Sequence, residues 1–508
     1  MLREIAYALL GVVVLAYALE WSLSLFDDPR EPPRIVSCVP LIGHLLGMVR
    51  YGVSYFNTTS KQTRAEIYTI NIFNAKLYIS NTQRLIPLVQ KASKTLSFRP
   101  FMQTATKLLG DVTDETYELF GGELVDKFSQ AMRTSLAPGP HLDEQNMRMG
   151  RRALIDVDAL VQSTSSGSST KISLLQWTRH IVMQASSCGV YGQEHPFRNP
   201  KVEAAFWTWE THIAAHMTKT DITRKGYAAR EIVFDAFREY YKVIPEDASL
   251  VVCERLRVLR EGGVCEEDVC KQEATFGTAI YANTAPTMYW TIYELFSRPG
   301  ALQELRDEIS REAVSGTKEE GFVLDVAALK TKCTLLLSVL QETQRTRHIF
   351  AMIRKVMSDT LLDGQYMLKA GHYLQMPGNP IHTNTSVWGP TAGAFDPYRF
   401  MPQESGDRKA RDPSSFVAWG APPHLCPARQ FAATEIMIIV ALLAMRVDIE
   451  PVGGDEWERS PALETGEFVS VYNPKKDIKV EVGGREQWRS TWTLKMGESK
   501  TRISLASG

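Results

Sequence analysis

Nine long stretches of this 508-residue chain repeat apolar residues at helical spacing. They run near 113–134, 145–164, 172–190, 200–217, 228–243, 267–298, 300–313, 332–347 and 427–446. So much helix leaves little chain for sheet. Short β-branched or aromatic runs near 66–80, 350–376 and 467–482 predict the strands of small sheets. Strands and helices do not alternate as in a doubly wound nucleotide-binding fold. Phosphate-loop, nucleophile-elbow and zinc-protease motifs are all missing. The low-complexity stretch 163–170 is too short for a linker and reads as a loop. The expectation is one mainly helical body with small β-sheets.

The formal net charge of −1 argues against a nucleic-acid binder, which usually carries a strongly basic domain. The seven cysteines are odd in number and form no C-x-x-C pair, which fits reduced thiols rather than a disulfide framework.

The N-terminus predicts a membrane anchor. Ile5–Leu19 is uncharged and apolar, Glu20 interrupts it, and Trp21–Phe26 adds further length. The 22 residues from Ile5 to Phe26 span about 33 Å as a helix, close to a hydrocarbon core of roughly 30 Å. A cleaved signal peptide would need a small-residue site before Asp27, and none is present. Arg30 and Arg34 follow the span, which places the body in the cytosol. Residues 1–26 are therefore expected as the anchor and 27–40 as a stiff, proline-rich hinge.

One cysteine carries the chemical case. Turn-rich residues from Trp419 run into Cys426-Pro427, and an apolar helix follows through Met445. Proline suits the first helical position, so Cys426 is expected at a helix start. Free N–H groups there stabilise a thiolate, which can act as a nucleophile or a metal ligand.

The segment Trp419-Gly420-Ala421-Pro422-Pro423-His424-Leu425-Cys426-Pro427-Ala428-Arg429 resembles the haem-binding loop of cytochrome P-450 enzymes. That resemblance implies haem b as cofactor and Cys426 as the axial thiolate on its iron. His424 and Arg429 fill the family's basic positions, and Trp419 replaces a phenylalanine that shields the sulfur. Pro422 and Ala428 stand where the family has glycine. Glu342-Thr343-Gln344-Arg345 resembles the family's E-x-x-R, and Phe395–Phe400 its F-x-P-x-R-F. Glu342, Arg345 and Arg399 are then a structural cluster bracing the haem loop. Arg354 matches an arginine that contacts a haem propionate, with His424 as the second candidate.

By the same resemblance, 267–298 is the helix crossing the distal haem face. In the register set by Tyr293-Glu294-Leu295, the family's acid–alcohol pair falls on Ala282 and Asn283. Asn283 and Thr284 are the expected oxygen-site residues, although Asn283 could simply satisfy a local backbone group. Ala282-Asn283-Thr284-Ala285-Pro286 is similar to a stretch in cholesterol 7α-hydroxylases, and prostacyclin synthases also carry Asn there. Pro286 should kink or open the helix locally. Phe206, Trp207, Trp209, His212 and Met217 line either a substrate pocket or plain core.

The resemblance implies a P-450 fold, with the haem between a long distal helix and a proximal cysteine loop in a catalytic domain of residues 41–484. The implied activity is a monooxygenase of the endoplasmic reticulum membrane. It would oxidise a lipophilic, terpenoid or sterol-like substrate, as in secondary metabolism. Electrons would come from an NADPH–cytochrome P-450 reductase, with cytochrome b5 as a second donor. An isomerase or dehydratase of a peroxide follows if the missing acid is decisive. A haem-binding protein without turnover follows if Ala428 and Pro422 spoil the loop. Residues 485–508 are left as an extension of unknown role.

Overall fold

The computed structural model describes residues 2–164, 168–402, 412–454, 456–465, 469–497 and 501–507. Helices dominate, and the sheets are small. A five-stranded sheet orders its strands as Ile67–Ile72, Ala75–Ser80, Tyr373–Pro377, Ala351–Val356 and Leu96–Ser97. A second sheet joins Val447–Pro451, Lys479–Gly484 and Ser169–Ser173. A third joins Trp492–Lys495, Gly321–Asp325 and Val314–Thr317.

The long helix runs over Glu266–Phe296, 31 residues or about 46 Å. Glu266, Glu267 and Asp268 occupy its first turn, where carboxylates suit the helix dipole. Asp268 also accepts from the Thr113 backbone N–H at 2.9 Å and from its hydroxyl at 2.7 Å. The helix continues through Pro286. Arg429–Arg446 is buried at every position from Phe431 onward, which suits a helix that is apolar on all faces.

Several expected helices come in pieces. The 113–134 stretch divides into Asp114–Gly121 and Leu124–Ser135, and 200–217 into Pro200–Thr211 and Ile213–Thr218. Helices Arg99–Gly110 and Leu250–Glu261 had no counterpart in the sequence reading. Residues 467–478 hold no strand among their described members, only isolated bridges from Val471 to His348 and from Pro474 to Leu463, and the strand proper is Lys479–Gly484. Residues after 484 pack on the rest of the body. Trp492–Lys495 pairs in parallel with Gly321–Asp325, and Ile503 and Leu505 are buried in the main core.

The proline-rich stretch after the first helix, Leu2–Ser24, is tied to the first sheet. Lys76 pairs with Asp27 and Glu31, both at 2.7 Å, and Arg34 bridges to Thr69. Among the described residues, no helix is long and apolar enough to cross a membrane. Several side chains of Leu2–Ser24 lie outside the described residues.

The helices Pro140–Gln162 and Leu174–Tyr191 pack closely where Gly189 faces Met149. A Cβ on Gly189 would lie 2.9 Å from the Met149 Cβ and 3.0 Å from the Gln145 carbonyl oxygen. A backbone oxygen cannot step aside as a side chain can. Gly189→Val is expected to cost about 1–3 kcal/mol, typical of overpacking. The check is a lower denaturant midpoint at unchanged slope.

Candidate functional site

The segment before Arg429 folds as a tight loop. Gly420 has φ +81°, and a Cβ there would meet the His424 carbonyl oxygen at 2.8 Å, so only glycine fits. The loop closes when the Cys426 N–H donates to the Trp419 carbonyl at 2.8 Å. The helix itself begins later than its sequence suggested. Ala428 is the N-cap and Arg429 the first helical residue, so Cys426 precedes the helix by three positions. Ala428 sits at φ −87°, ψ 6°, which any residue adopts, so its methyl causes no backbone strain.

Cys426 is partly accessible, and what it faces is a cavity of ≈ 360 Å³. Burial pushes its thiol pKa up, while the Ala428 N–H and the Arg429 charge pull it down. The cavity wall also carries Asn283 and Thr284 from the long helix, Arg354 from its strand, and His424 and Trp419 from the loop. The cavity therefore lies between the long helix and the cysteine loop. No carboxylate lines it among the described residues.

Its charge is unbalanced. Arg354 is 5% exposed and donates to the Ile353 carbonyl at 2.7 Å. No carboxylate pairs with it among the described residues. Burial pulls its pKa down to about 10. Burial, then the charges of Arg354 and Arg133, pull His424 down to about 4. His424 is thus a neutral imidazole rather than a second cation. Phe98 packs against both, 5.3 Å from the His424 ring and 5.7 Å from the guanidinium.

On the long helix, the Asn283 Oδ1 accepts from the Ser470 N–H at 2.9 Å. The backbone group that Asn283 satisfies is therefore a distant one, not a local one. Its Nδ2 donates to no protein atom among the described residues. The Thr284 hydroxyl donates to the Ile280 carbonyl at 2.8 Å, which leaves its lone pairs free to accept.

Behind the loop, Glu342 is fully buried between two guanidiniums. Arg345 makes a fork of 2.7 and 2.8 Å to its two oxygens, and Arg399 donates at 3.0 Å. Arg345 also reaches the carbonyls of His382 and Ala392, both at 2.6 Å. Arg429 does not line the cavity. It donates to the Cys426 carbonyl at 3.2 Å instead.

The aromatic stripe at 206–217 divides between core and surface, with Trp207 and His212 partly buried and Met217 exposed. Phe206 and Trp209 are fully buried, and Phe206 packs edge-on to Tyr281 at 5.2 Å. No residue of the stripe lines the cavity. The wall is built instead with Phe98, Phe276, Gln344, His348, Phe350 and Ser470, which the sequence reading missed. Phe350 stood four residues before Arg354, the one signal that could have found it.

The family profile described as Cytochrome P450 matches residues 252–482. The chain is 32% identical to the cytochrome P450 monooxygenase nodJ of Hypoxylon pulicicidum, over 98% of each chain. It is 25% identical to a cytochrome P450 monooxygenase of Gibberella zeae, over 92% of this chain and 90% of that one. It is also 25% identical to the 5-beta-cholestane-3-alpha,7-alpha-diol 12-alpha-hydroxylase of Sus scrofa, over 84% and 88%. With that likeness running almost end to end, the chain belongs to the cytochrome P450 family: it is a monooxygenase, and its cofactor is haem bound through a cysteine thiolate.

Proposed function

We propose that Cys426 is that thiolate, in a membrane-anchored monooxygenase that hydroxylates a lipophilic substrate. One observation carries the reading. Cys426 shares a single cavity with Asn283 and Thr284 of the long helix and with Arg354, a buried cation without a carboxylate partner among the described residues. A buried charge needs a counter-charge. A carboxylate-bearing macrocycle entering this cavity would supply it, so the residues present fit haem.

Bound there, haem supplies dioxygen activation, and a thiolate ligand pushes electron density onto the iron. The protein's own groups have separate tasks. The Ala428 N–H and the Arg429 charge favour the thiolate against burial. Arg354 and His424 would hold the propionates, the first as an ion and the second through a hydrogen bond. Trp419 keeps water from the sulfur. The Asn283 Nδ2 can donate to a water and the Thr284 Oγ1 can accept from it, so together they orient one. With no acid on the described wall, protons reach the site through such water. Glu342, Arg345 and Arg399 act as structure.

The apolar N-terminal run supports residues 1–26 as a single-pass anchor in the endoplasmic reticulum membrane, with 27–40 as the connection. Residues 41–484 form the catalytic domain, facing the cytosol. No dinucleotide fingerprint is present, so electrons come from a separate NADPH–cytochrome P-450 reductase, with cytochrome b5 as a second donor. A terpenoid or sterol-like substrate suits a wall carrying Phe98, Phe276, Ile280 and Phe350.

The first test is the absorption spectrum of the reduced, carbon-monoxide-bound membrane fraction, for wild type and Cys426→Ala. A strongly red-shifted Soret band in wild type, absent from the variant, is the expected result. Its absence from well-expressed wild type would overturn the assignment of Cys426. With substrate in hand, incorporation of label from isotopic dioxygen, dependent on the reductase, checks the reaction.

The second test concerns the charge cluster. Glu342→Gln leaves two buried guanidiniums without a carboxylate. Losing one partner of a buried ion pair costs about 3–5 kcal/mol. The expected outcome is a markedly lower thermal midpoint and a fall in haem content, read by calorimetry and by absorbance. An unchanged midpoint would show that the cluster is not structural.

A further inference from the structure

The C-terminal segment 501–507 lies beyond the residues that the family profile matches, yet it touches the cysteine helix directly. Gln430 is the second residue of that helix and stands four after Cys426. Its side-chain amide reads one backbone residue with both ends. Nε2 donates to the Ile503 carbonyl at 3.0 Å, and Oε1 accepts from the Ile503 N–H at 2.9 Å. This two-point pairing resembles one rung of a sheet, built from a side chain and a strand-like segment.

The same segment reaches two more elements. The Ala506 N–H donates to the Gln341 Oε1 at 2.6 Å, and Gln341 directly precedes Glu342 of the buried charge cluster. Ala506 also packs on the Trp388–Ala392–Phe416 cluster, against which Trp419 packs as well. Ile503 and Leu505 are buried in the main core at 3% and 7% exposure. Seven residues thus connect the helix after Cys426, the helix of the charge cluster and the aromatic layer behind Trp419.

We propose that this segment is a strap that positions the Cys426 loop, with Gln430 as the positioning residue through which it acts. The inference rests on Cys426 being the haem ligand. The sulfur is carried by backbone held at one end by the Trp419 carbonyl and at the other by the first turn of the Arg429–Arg446 helix. Amide N–H groups of a first helical turn have no intrahelical acceptors, so this turn frays most easily. The strap holds that turn from outside. The orientation of the thiol toward the cavity depends on its bonds to Gln430, while Ile503 and Leu505 serve the core.

Three variants of the full-length protein test the proposal: Gln430→Met, which keeps volume and removes both amide bonds; truncation after residue 500; and Leu505→Ala, which removes core burial and leaves the backbone bonds available. Each is purified with haem and read in two ways. The first is the share of the reduced carbon-monoxide complex that carries the red-shifted, thiolate-type Soret band. The second is hydrogen–deuterium exchange of residues 419–432.

Gln430→Met and the truncation are expected to lower the thiolate-type share by half or more and to speed exchange at 419–432. Exchange over 140–162 should not change. Leu505→Ala should lower the thermal midpoint and leave the thiolate-type share intact well below it. The proposal is overturned if Gln430→Met matches wild type in both readouts, or if all three variants lose the band only in proportion to their thermal midpoints. A wild-type protein without the band would instead overturn the assignment of Cys426, so the two failures are distinct.

Discussion

Glu342 accepts hydrogen bonds from two guanidiniums and from the Asp396 N–H in a place that water does not reach. An ion there is tolerable only with full compensation, and the arginines need it as much as the carboxylate does. Their remaining donors go to backbone carbonyls of His382, Trp388, Thr391, Ala392 and Ala394. A meander with little regular structure is thereby fixed to the helix Thr334–Arg347 by charge-assisted bonds. His382, fixed by its carbonyl, accepts the Val417 N–H on Nε2 at 3.0 Å. Val417 lies two residues before Trp419, whose carbonyl closes the loop on Cys426. The chain of bonds from Glu342 to the cysteine is short, and every link in it is buried or half-buried.

The parts of this arrangement that were legible in the sequence are those where chemistry demands one particular atom. A thiolate needs cysteine, a buried carboxylate needs hydrogen-bond donors or a counter-charge, and a loop with φ +81° needs glycine. Cys426, Glu342, Arg345, Arg399 and Arg354 were named through their resemblance to family motifs, and the structure puts Cys426 and Arg354 on one cavity wall and Glu342 between two arginines. The long helix was legible because a 31-residue helix has a pattern that survives local noise. What was not legible depends on distance in space. Phe98 and Phe350 reach the cavity through sheet pairing between Leu96–Ser97 and Ala351–Val356, and no local pattern announces such a contact. Aromatic residues at 206–209 had the right look for a pocket, but the same residues satisfy a core equally well, and packing chose the core. The helix start was placed too early because proline tolerates a turn as readily as a first helical position.

The long helix shows how a departure from the expected family pattern can be absorbed. Where an acid would sit, Ala282 packs on Ile349, Val469 and Tyr472. Where a hydroxyl would sit, Asn283 ties the long helix to the 469–472 segment through Ser470. Loss of the acid thus removes a charge whose burial would need compensation and adds a bond between two elements. The remaining polar groups can order water but cannot themselves release a proton, as an acid does. On the proposed reading, proton delivery depends on solvent access to the cavity more than on one side chain.

Arg354 gives this balance its last step. Every other strongly buried cation beside the cysteine loop is spent on the protein itself, as Arg345 and Arg399 are on Glu342. Arg354 is buried almost as deeply, yet it has one backbone carbonyl and an aromatic face and no carboxylate among the described residues. Burial lowers its pKa to about 10, and it remains charged near neutrality. His424 beside it yields its own proton under the same pressure. The protein folds around a positive charge that it leaves uncompensated, and an anionic ligand that binds only the folded state recovers that penalty as stability. An anionic cofactor held by this guanidinium would couple its binding to folding.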